Sequence, residues 1–179
     1  MTHAELKALP IHHLGYKVDD IDVAVEGWGR LGVGPFFVLR NIVFDAIETY
    51  SDDAVFAHSA AFSYLGNTGV ELQHISEARP ERLAAELGLE CPDRLNHIAY
   101  AVADPVALSE QLSEAGYPLG VFTKAGPIED YMHFVPEFGH MIELHLASDA
   151  LERFWGGVRK EATVWDGSDP IRDAYQLMS

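Results

Sequence analysis

Cysteine is almost absent from this chain. Cys91 stands alone among 179 residues, so no internal disulfide can form, and a reducing, cytoplasmic setting is expected. Basic residues are also scarce. Twelve Lys and Arg face 28 Asp and Glu, for a formal net charge of −16. A surface this acidic argues against nucleic acid or anionic membrane as partner and leaves a small molecule as the expected one. No apolar run approaches the roughly 20 residues needed to cross a bilayer. The opening M-T-H-A-E-L-K-A-L-P lacks the basic-then-apolar order of an export signal. What remains is globular in balance, with 48% hydrophobic and 22% charged residues. The length suits one substantial domain or two small fused modules.

Two modules are favoured because the sequence repeats itself. I-H-H-L-G-Y-K-V at 11–18 is echoed by L-N-H-I-A-Y-A-V at 95–102. In this register His13 lies over His97, Tyr16 over Tyr100, Val18 over Val102 and Asp20 over Asp104. A second echo sets V-E-L-Q-H at 70–74 over I-E-L-H-L at 142–146, which puts Glu71 over Glu143. Each copy thus contributes one histidine near its start and one glutamate near its end. Two such halves facing each other would make a two-histidine, two-carboxylate metal centre.

Local patterns place these residues on strands. Residues 11–18 are rich in β-branched and aromatic side chains. Asp19 and Asp20 can cap a helix carrying Ile21, Val25, Trp28 and Leu31, stopped by Gly32 and Gly34. Pro35–Phe44 reads as a strand and Asp45–Val55 as an irregular loop or edge. Phe56–Leu65 and Val70–Ile75 read as strands joined by the turn G-N-T-G. Residues 10–78 therefore form a first β-α-β-β-β module. Residues 79–93 form a linker helix starting at Pro80 and ending at Gly88. Residues 94–147 repeat β-α-β-β-β, with Asp104-Pro105 opening the helix. Residues 148–179 form a short capped helix, with Leu151, Phe154 and Trp155 on its inner face, and a tail with no counterpart in the first module. The class is α+β.

Strand alternation sorts the candidates by face. His13, Gly15 and Lys17 share one face, as do His97, Ala99 and Ala101, Glu71 and Gln73, and Glu143 and His145. A lone strand histidine is ordinarily a satisfied polar residue. A glutamate between apolar neighbours is more telling, because burying it uncompensated is costly. The repeat register selects His13 over its neighbour His12 and joins it with Glu71, His97 and Glu143 as ligands, with Gln73 able to substitute for Glu71. His145, beside Glu143, is the best acid-base candidate. Lys17, Gln73 and His133 are candidates for substrate binding, with a solvent-facing strand end the plain alternative for Lys17.

These motifs resemble the vicinal oxygen chelate superfamily of glyoxalase I, methylmalonyl-CoA epimerase, extradiol dioxygenases and bleomycin-resistance proteins. The resemblance spans roughly residues 10–147. It rests on H-x-[GA]-Y-x-V at 13–18 and 97–102, V-E-L at 70–72, A-G-P-I at 125–128 and F-V-P-E-F-G-H-M-I-E-L at 134–144. It implies tandem modules forming an open, cup-shaped mixed sheet around a metal held by His13, Glu71, His97 and Glu143. It also implies a homodimer. The ligand set resembles bacterial-type glyoxalase I, while G-V-G-P-F-F at 32–37 is nearer the epimerase-like members, which typically carry Gln at the position of Glu71.

Two imidazoles and two carboxylates would leave a divalent ion such as Zn, Ni, Co, Mn or Mg open to two substrate oxygens. The expected activity is that of an isomerase, epimerase or lyase moving an α-proton of a small carbonyl compound, with Glu143 or His145 as the base. One alternative is a ring-cleaving Fe(II) dioxygenase, for which His13, His97 and Glu143 alone would bind the metal. A second is a metal-free drug-binding protein, against which the four retained ligand types argue.

Overall fold

The computed structural model describes residues 8–91 and 93–178. Ten strands form one mixed, curled sheet. They are β1 (His13–Lys17), β2 (Phe36–Leu39), β3 (Ala46–Thr49), β4 (Val55–Leu65), β5 (Thr68–Arg79), β6 (Arg94–Val102), β7 (Leu119–Ala125), β8 (Ile128–Val135), β9 (His140–Leu146) and β10 (Ile171–Asp173). Four helices described in full accompany them: α1 (Ile21–Gly29), α2 (Glu81–Glu86), α3 (Pro105–Glu114) and α4 (Asp149–Val164). The strand order is β10-β2-β4-β5-β1-β6-β9-β8-β7-β3. The two modules meet at the centre, where β1 and β6 run antiparallel.

Alternating side chains divide the sheet into a helix face and a concave face. On β5, Val70 and Leu72 pack with Ile21 and Val25 of α1. On β9, Ile142 and Leu144 pack with Leu108 and Leu112 of α3. The intervening Glu71, Gln73, Glu143 and His145 are thereby turned to the concave side. The helices start where the sequence places their caps. Asp20 accepts from the Val23 amide, Asp104 from Ala107 and Ser148 from Leu151. Each such cap contributes about 1 kcal/mol. In the linker helix α2, Leu83 and neighbouring Leu87 are both fully buried.

Four features differ from the sequence expectation. Helix α1 ends at Gly29, and Leu31 is 81% exposed rather than on its buried face. The expected strand at 35–44 stops at Leu39. The chain then crosses the cup, where the Ile42 amide bonds to the His58 carbonyl and the Asp45 amide to the Lys124 carbonyl. The stretch read as an irregular loop holds β3, which pairs antiparallel with β7 of the second module. Its apolar pattern is weak because backbone bonding to an edge, not burial, holds it. Last, the expected short C-terminal helix runs 16 residues. The tail returns to the sheet, where β10 pairs parallel with β2, followed by a 3-10 turn at Ala174–Leu177.

The first module is therefore incomplete alone: β1 needs β6 and β3 needs β7. A chain ending at Arg79 should show no cooperative transition in urea followed by circular dichroism, whereas the full chain should unfold cooperatively. Cooperative unfolding of the half-chain would contradict this topology.

Candidate metal centre

The register of the central strands builds the site. Gly15 on β1 lies opposite His97 on β6 on one side and Glu71 on β5 on the other. Ala99 on β6 lies opposite His13 on one side and Glu143 on β9 on the other. Two rows result, Glu71–Gly15–His97 and His13–Ala99–Glu143, related by the pseudo-twofold between modules. The middle residue of each row is small, so the flanking side chains lean together over it. A β-carbon at Gly15 would overlap the His97 ring.

The four side chains meet at one point. His13 Nε2 lies 3.2 Å from His97 Nε2, 3.2 Å from Glu71 Oε2 and 3.2 Å from Glu143 Oε2. His97 Nε2 lies 3.5 Å from Glu71 Oε2 and 3.3 Å from Glu143 Oε2. All four residues are at most 6% exposed. Donors about 2.1 Å from one ion stand about 3.0 Å apart at right angles and about 3.4 Å apart at tetrahedral angles. The separations of 3.2–3.5 Å lie at the tetrahedral end of this range, so a divalent ion fits.

Neighbouring groups orient the imidazoles. His97 Nδ1–H donates to Asn96 Oδ1 at 3.0 Å, and the Asn96 amide donates to the Leu87 carbonyl at 2.8 Å. This fixes the tautomer that leaves a lone pair on His97 Nε2. His13 Nδ1 contacts His12 Nδ1 at 2.9 Å, and Trp155 stacks on the His13 ring at 4.8 Å. Burial holds the His12 pKa down to about 3, helped by His13 and His145, so His12 is neutral. Burial opposes charge on Glu71 and Glu143, yet the surrounding histidines hold both carboxyls below their ordinary range. Burial likewise opposes charge on His97, but Glu143 and Glu71 raise its pKa. The negative field that retains a proton there is the field that attracts a cation.

His145 stands beside the cluster. Its Nε2 is 2.9 Å from Glu143 Oε2 and its Nδ1 is 2.6 Å from Asp130 Oδ1. Desolvation disfavours its charge, but Glu143 and Asp130 outweigh it and hold its pKa well above the ordinary value. Burial raises the Asp130 pKa, partly offset by His145. The ring lies between the two carboxylates and presents a different nitrogen to each.

A cavity of about 550 Å³ opens on the cluster, bordered by His13, Glu71, Glu143, His145, Asp130 and Gln73. Its remaining wall is mainly apolar, with Phe44, Phe56 and Phe62 from the sheet side, Phe154 and Trp155 from α4, and Leu177 and Met178 from the tail.

Two sequence candidates are not brought here. Lys17 closes β1 at the rim, where Nζ donates to Asp19 Oδ1 at 2.6 Å and to the Cys91 carbonyl at 2.7 Å. The register shift after Gly15 and its position at the strand end take it away from the cavity. Arg153 is the only Lys or Arg among the described residues of the cavity wall. His133 lies opposite Ile142 and hence on the helix face. There its Nδ1–H donates to the Tyr117 carbonyl and its Nε2 accepts from the Ser109 hydroxyl, each at 2.8 Å. Asp130, missed in the sequence, is placed by the β8–β9 register, which sets it opposite His145.

Because Gly15 lies under the His97 ring, Gly15→Ala should weaken zinc binding at least about tenfold, the scale of misoriented ligands, with the far-ultraviolet spectrum preserved. Zinc affinity unchanged by this substitution, measured by competition with a chelating dye, would contradict the row geometry.

Residues 12–131 match the family model described as Glyoxalase/Bleomycin resistance protein/Dioxygenase superfamily. No curated protein sequence matches significantly. Among solved structures, a hypothetical protein from Bacillus halodurans C-125 is similar, with 17% identity and a TM-score of 0.51 over 79% of this chain and 96% of that one. The methylmalonyl-CoA epimerase of Mycobacterium tuberculosis aligns at 19% identity and a TM-score of 0.48, over 79% and 89%. A Streptomyces coelicolor methylmalonyl-CoA epimerase variant in complex with 2-nitronate-propionyl-CoA aligns at 15% identity and a TM-score of 0.48, over 79% and 96%. With its tandem modules, curled sheet and a family match over most of its length, the chain belongs to the Glyoxalase/Bleomycin resistance protein/Dioxygenase superfamily, the vicinal oxygen chelate fold.

Proposed function

We propose that the protein is a metal-dependent isomerase, epimerase or lyase that moves a proton at the carbon next to a carbonyl group. One observation carries this reading. A histidine outside the four-donor cluster, His145, touches the cluster carboxylate Glu143 at 2.9 Å on the wall of a mainly apolar cavity. An ion held by His13, Glu71, His97 and Glu143 would supply Lewis acidity, polarising two neighbouring substrate oxygens and acidifying the carbon between them.

The chain's own groups then handle the proton. Glu143 and His145 share one proton-carrying contact, and Asp130 steadies the far side of the imidazole. This pair receives the proton from carbon and returns it to the same face or to the neighbouring atom, so an isomerisation needs no other reactant; an epimerisation would need delivery to the opposite face, which would fall to Glu71 of the other row. The apolar wall limits exchange with bulk water while the proton is held. Trp155, stacked on His13, keeps the ligand ring from rotating toward the cavity.

The convergence of Glu71 with the other three donors supports this reading over the Fe(II) dioxygenase. The latter needs a two-histidine, one-carboxylate set with positions open for oxygen. Four clustered donors likewise give no support to a metal-free binding protein.

The test is solvent deuterium exchange without oxygen. With a panel of α-hydroxy carbonyl and 2-substituted acyl compounds, zinc-, cobalt- or nickel-loaded protein should place deuterium on the α-carbon of one class. His145→Ala should lower that exchange by about 10²-fold or more with zinc content unchanged, and His97→Ala should lose stoichiometric zinc. Oxygen consumed in step with product, restored only by ferrous iron, would replace this reading with the dioxygenase.

A further inference from the structure

Cations are scarce in this chain, and most are already engaged. Lys17, Arg40, Arg79, Arg82, Lys124 and Arg172 each form an ion pair with Asp or Glu. Arg153 differs on two counts. It is exposed and forms no hydrogen bond or ion pair with any described residue. It also borders the cavity, whose acidic wall residues Glu71, Glu143 and Asp130 lie at the cluster end. An arginine with only a surface role would have a partner at hand. Asp149 stands four residues before it on α4, the spacing of an ordinary helical ion pair. That pair is not made.

The helix puts Arg153 where a ligand can reach it. Leu151, Trp155 and Val158 form the buried face of α4, and Trp155 stacks on the ligand ring of His13. Arg153 lies beyond the edge of that face, in a row with Ala150 a turn before it and Gly157 a turn after. Both neighbours are small. Helical side chains lean toward the N-terminus, so the long arm of Arg153 passes over Ala150, itself a wall residue, to border the cavity. Gly157 gives its space to Leu177 of the tail, which a β-carbon there would meet at 3.2 Å. A solvated guanidinium thus stands at the rim, with an apolar wall behind it and the four-donor cluster at the far end.

We propose that Arg153 is a specificity-determining residue, which selects substrates carrying a carboxylate at the end remote from the chelating oxygens, with an apolar body between the two. A guanidinium matches a carboxylate with two parallel N–H···O bonds. A neutral end group would leave Arg153 with water alone, and an ammonium would be repelled. A phosphate dianion would meet Glu71, Glu143 and Asp130 with twice the charge and the same single arginine to offset it. Phe44, Phe56 and Phe62 on the wall suit the apolar body. The assignment deepens the proposed function and rests on the metal-centred reading for its chelating end only. The carboxylate contact itself does not need the ion.

The test uses acid and ester pairs on the full chain, read by calorimetry rather than by turnover. The probes are the monohydroxamates of glutaric, adipic, pimelic and suberic acids, each against its methyl ester. On zinc-loaded protein at low salt, the acid of best-fitting length should bind about fivefold more tightly than its ester, and the preference should shrink as salt rises. In Arg153→Gln the ester should bind at least as tightly as the acid, because the wall then has no Lys or Arg among its described residues to offset its carboxylates. Lys160→Gln removes an exposed cation of the same helix outside the cavity wall, and should keep the wild-type preference. Equal binding of every pair by the wild type, a preference that survives Arg153→Gln, or one lost equally in Lys160→Gln would overturn the assignment. Hydroxamates that bind no better with zinc than without it would sink the metal reading instead. The carboxylate contact is then decided on zinc-free protein, with heptanoate compared against methyl heptanoate. A preference for heptanoate that is lost in Arg153→Gln would uphold it, and no preference would overturn it.

Discussion

Everything in this fold depends on making tolerable the burial of two carboxylates and two imidazoles at one point. His13, Glu71, His97 and Glu143 are between 0% and 6% exposed. Taking two carboxylate charges out of water costs several kcal/mol each unless they are compensated. Within the chain the compensation is a proton on a histidine, and a divalent ion would do the same with a charge that matches both carboxylates. The second carboxylate is what sets a redox-silent Lewis-acid centre apart from the more open two-histidine, one-carboxylate arrangement.

The rest of the architecture holds that point in place. Because β1 and β6 run antiparallel with Gly15 opposite His97 and His13 opposite Ala99, each module places its histidine over the other module's small residue. The parallel partners β5 and β9 then bring one glutamate to each row. Helices α1 and α3 cover the outer face, and α4 with the tail closes over the inner one. Polar side chains buried in the cavity wall must find partners there. His145 finds Glu143 and Asp130, whereas His58 Nδ1 and Gln73 Oε1 have no hydrogen-bond partner among the described residues.

Much of the cluster was legible in the sequence because the repeat supplies the register that a single strand cannot. His13 aligns with His97 and Glu71 with Glu143, and alternation turns both pairs to the same side. Asp130 was not legible because β8 has no anchor of its own. Its face follows from the four-residue loop 136–139, which pairs Val135 with His140 and therefore Asp130 with His145. Reading P-E-F-G as that hairpin would have found it, and would have turned His133 to the helix face. Lys17 followed the alternation of β1 but sits where the strand ends, and local carbonyl and carboxylate partners captured it. β3 and the tail were illegible for a different reason. Each is held by backbone pairing to a distant edge, which leaves little trace in side-chain pattern.

X-ray absorption of the cobalt-loaded protein tests the central claim most directly. The account predicts one cobalt per chain, with two imidazoles and the remaining donors oxygen at about 2.0–2.2 Å. A shell of oxygens alone, without imidazole scattering, would put the ion on surface carboxylates and contradict it.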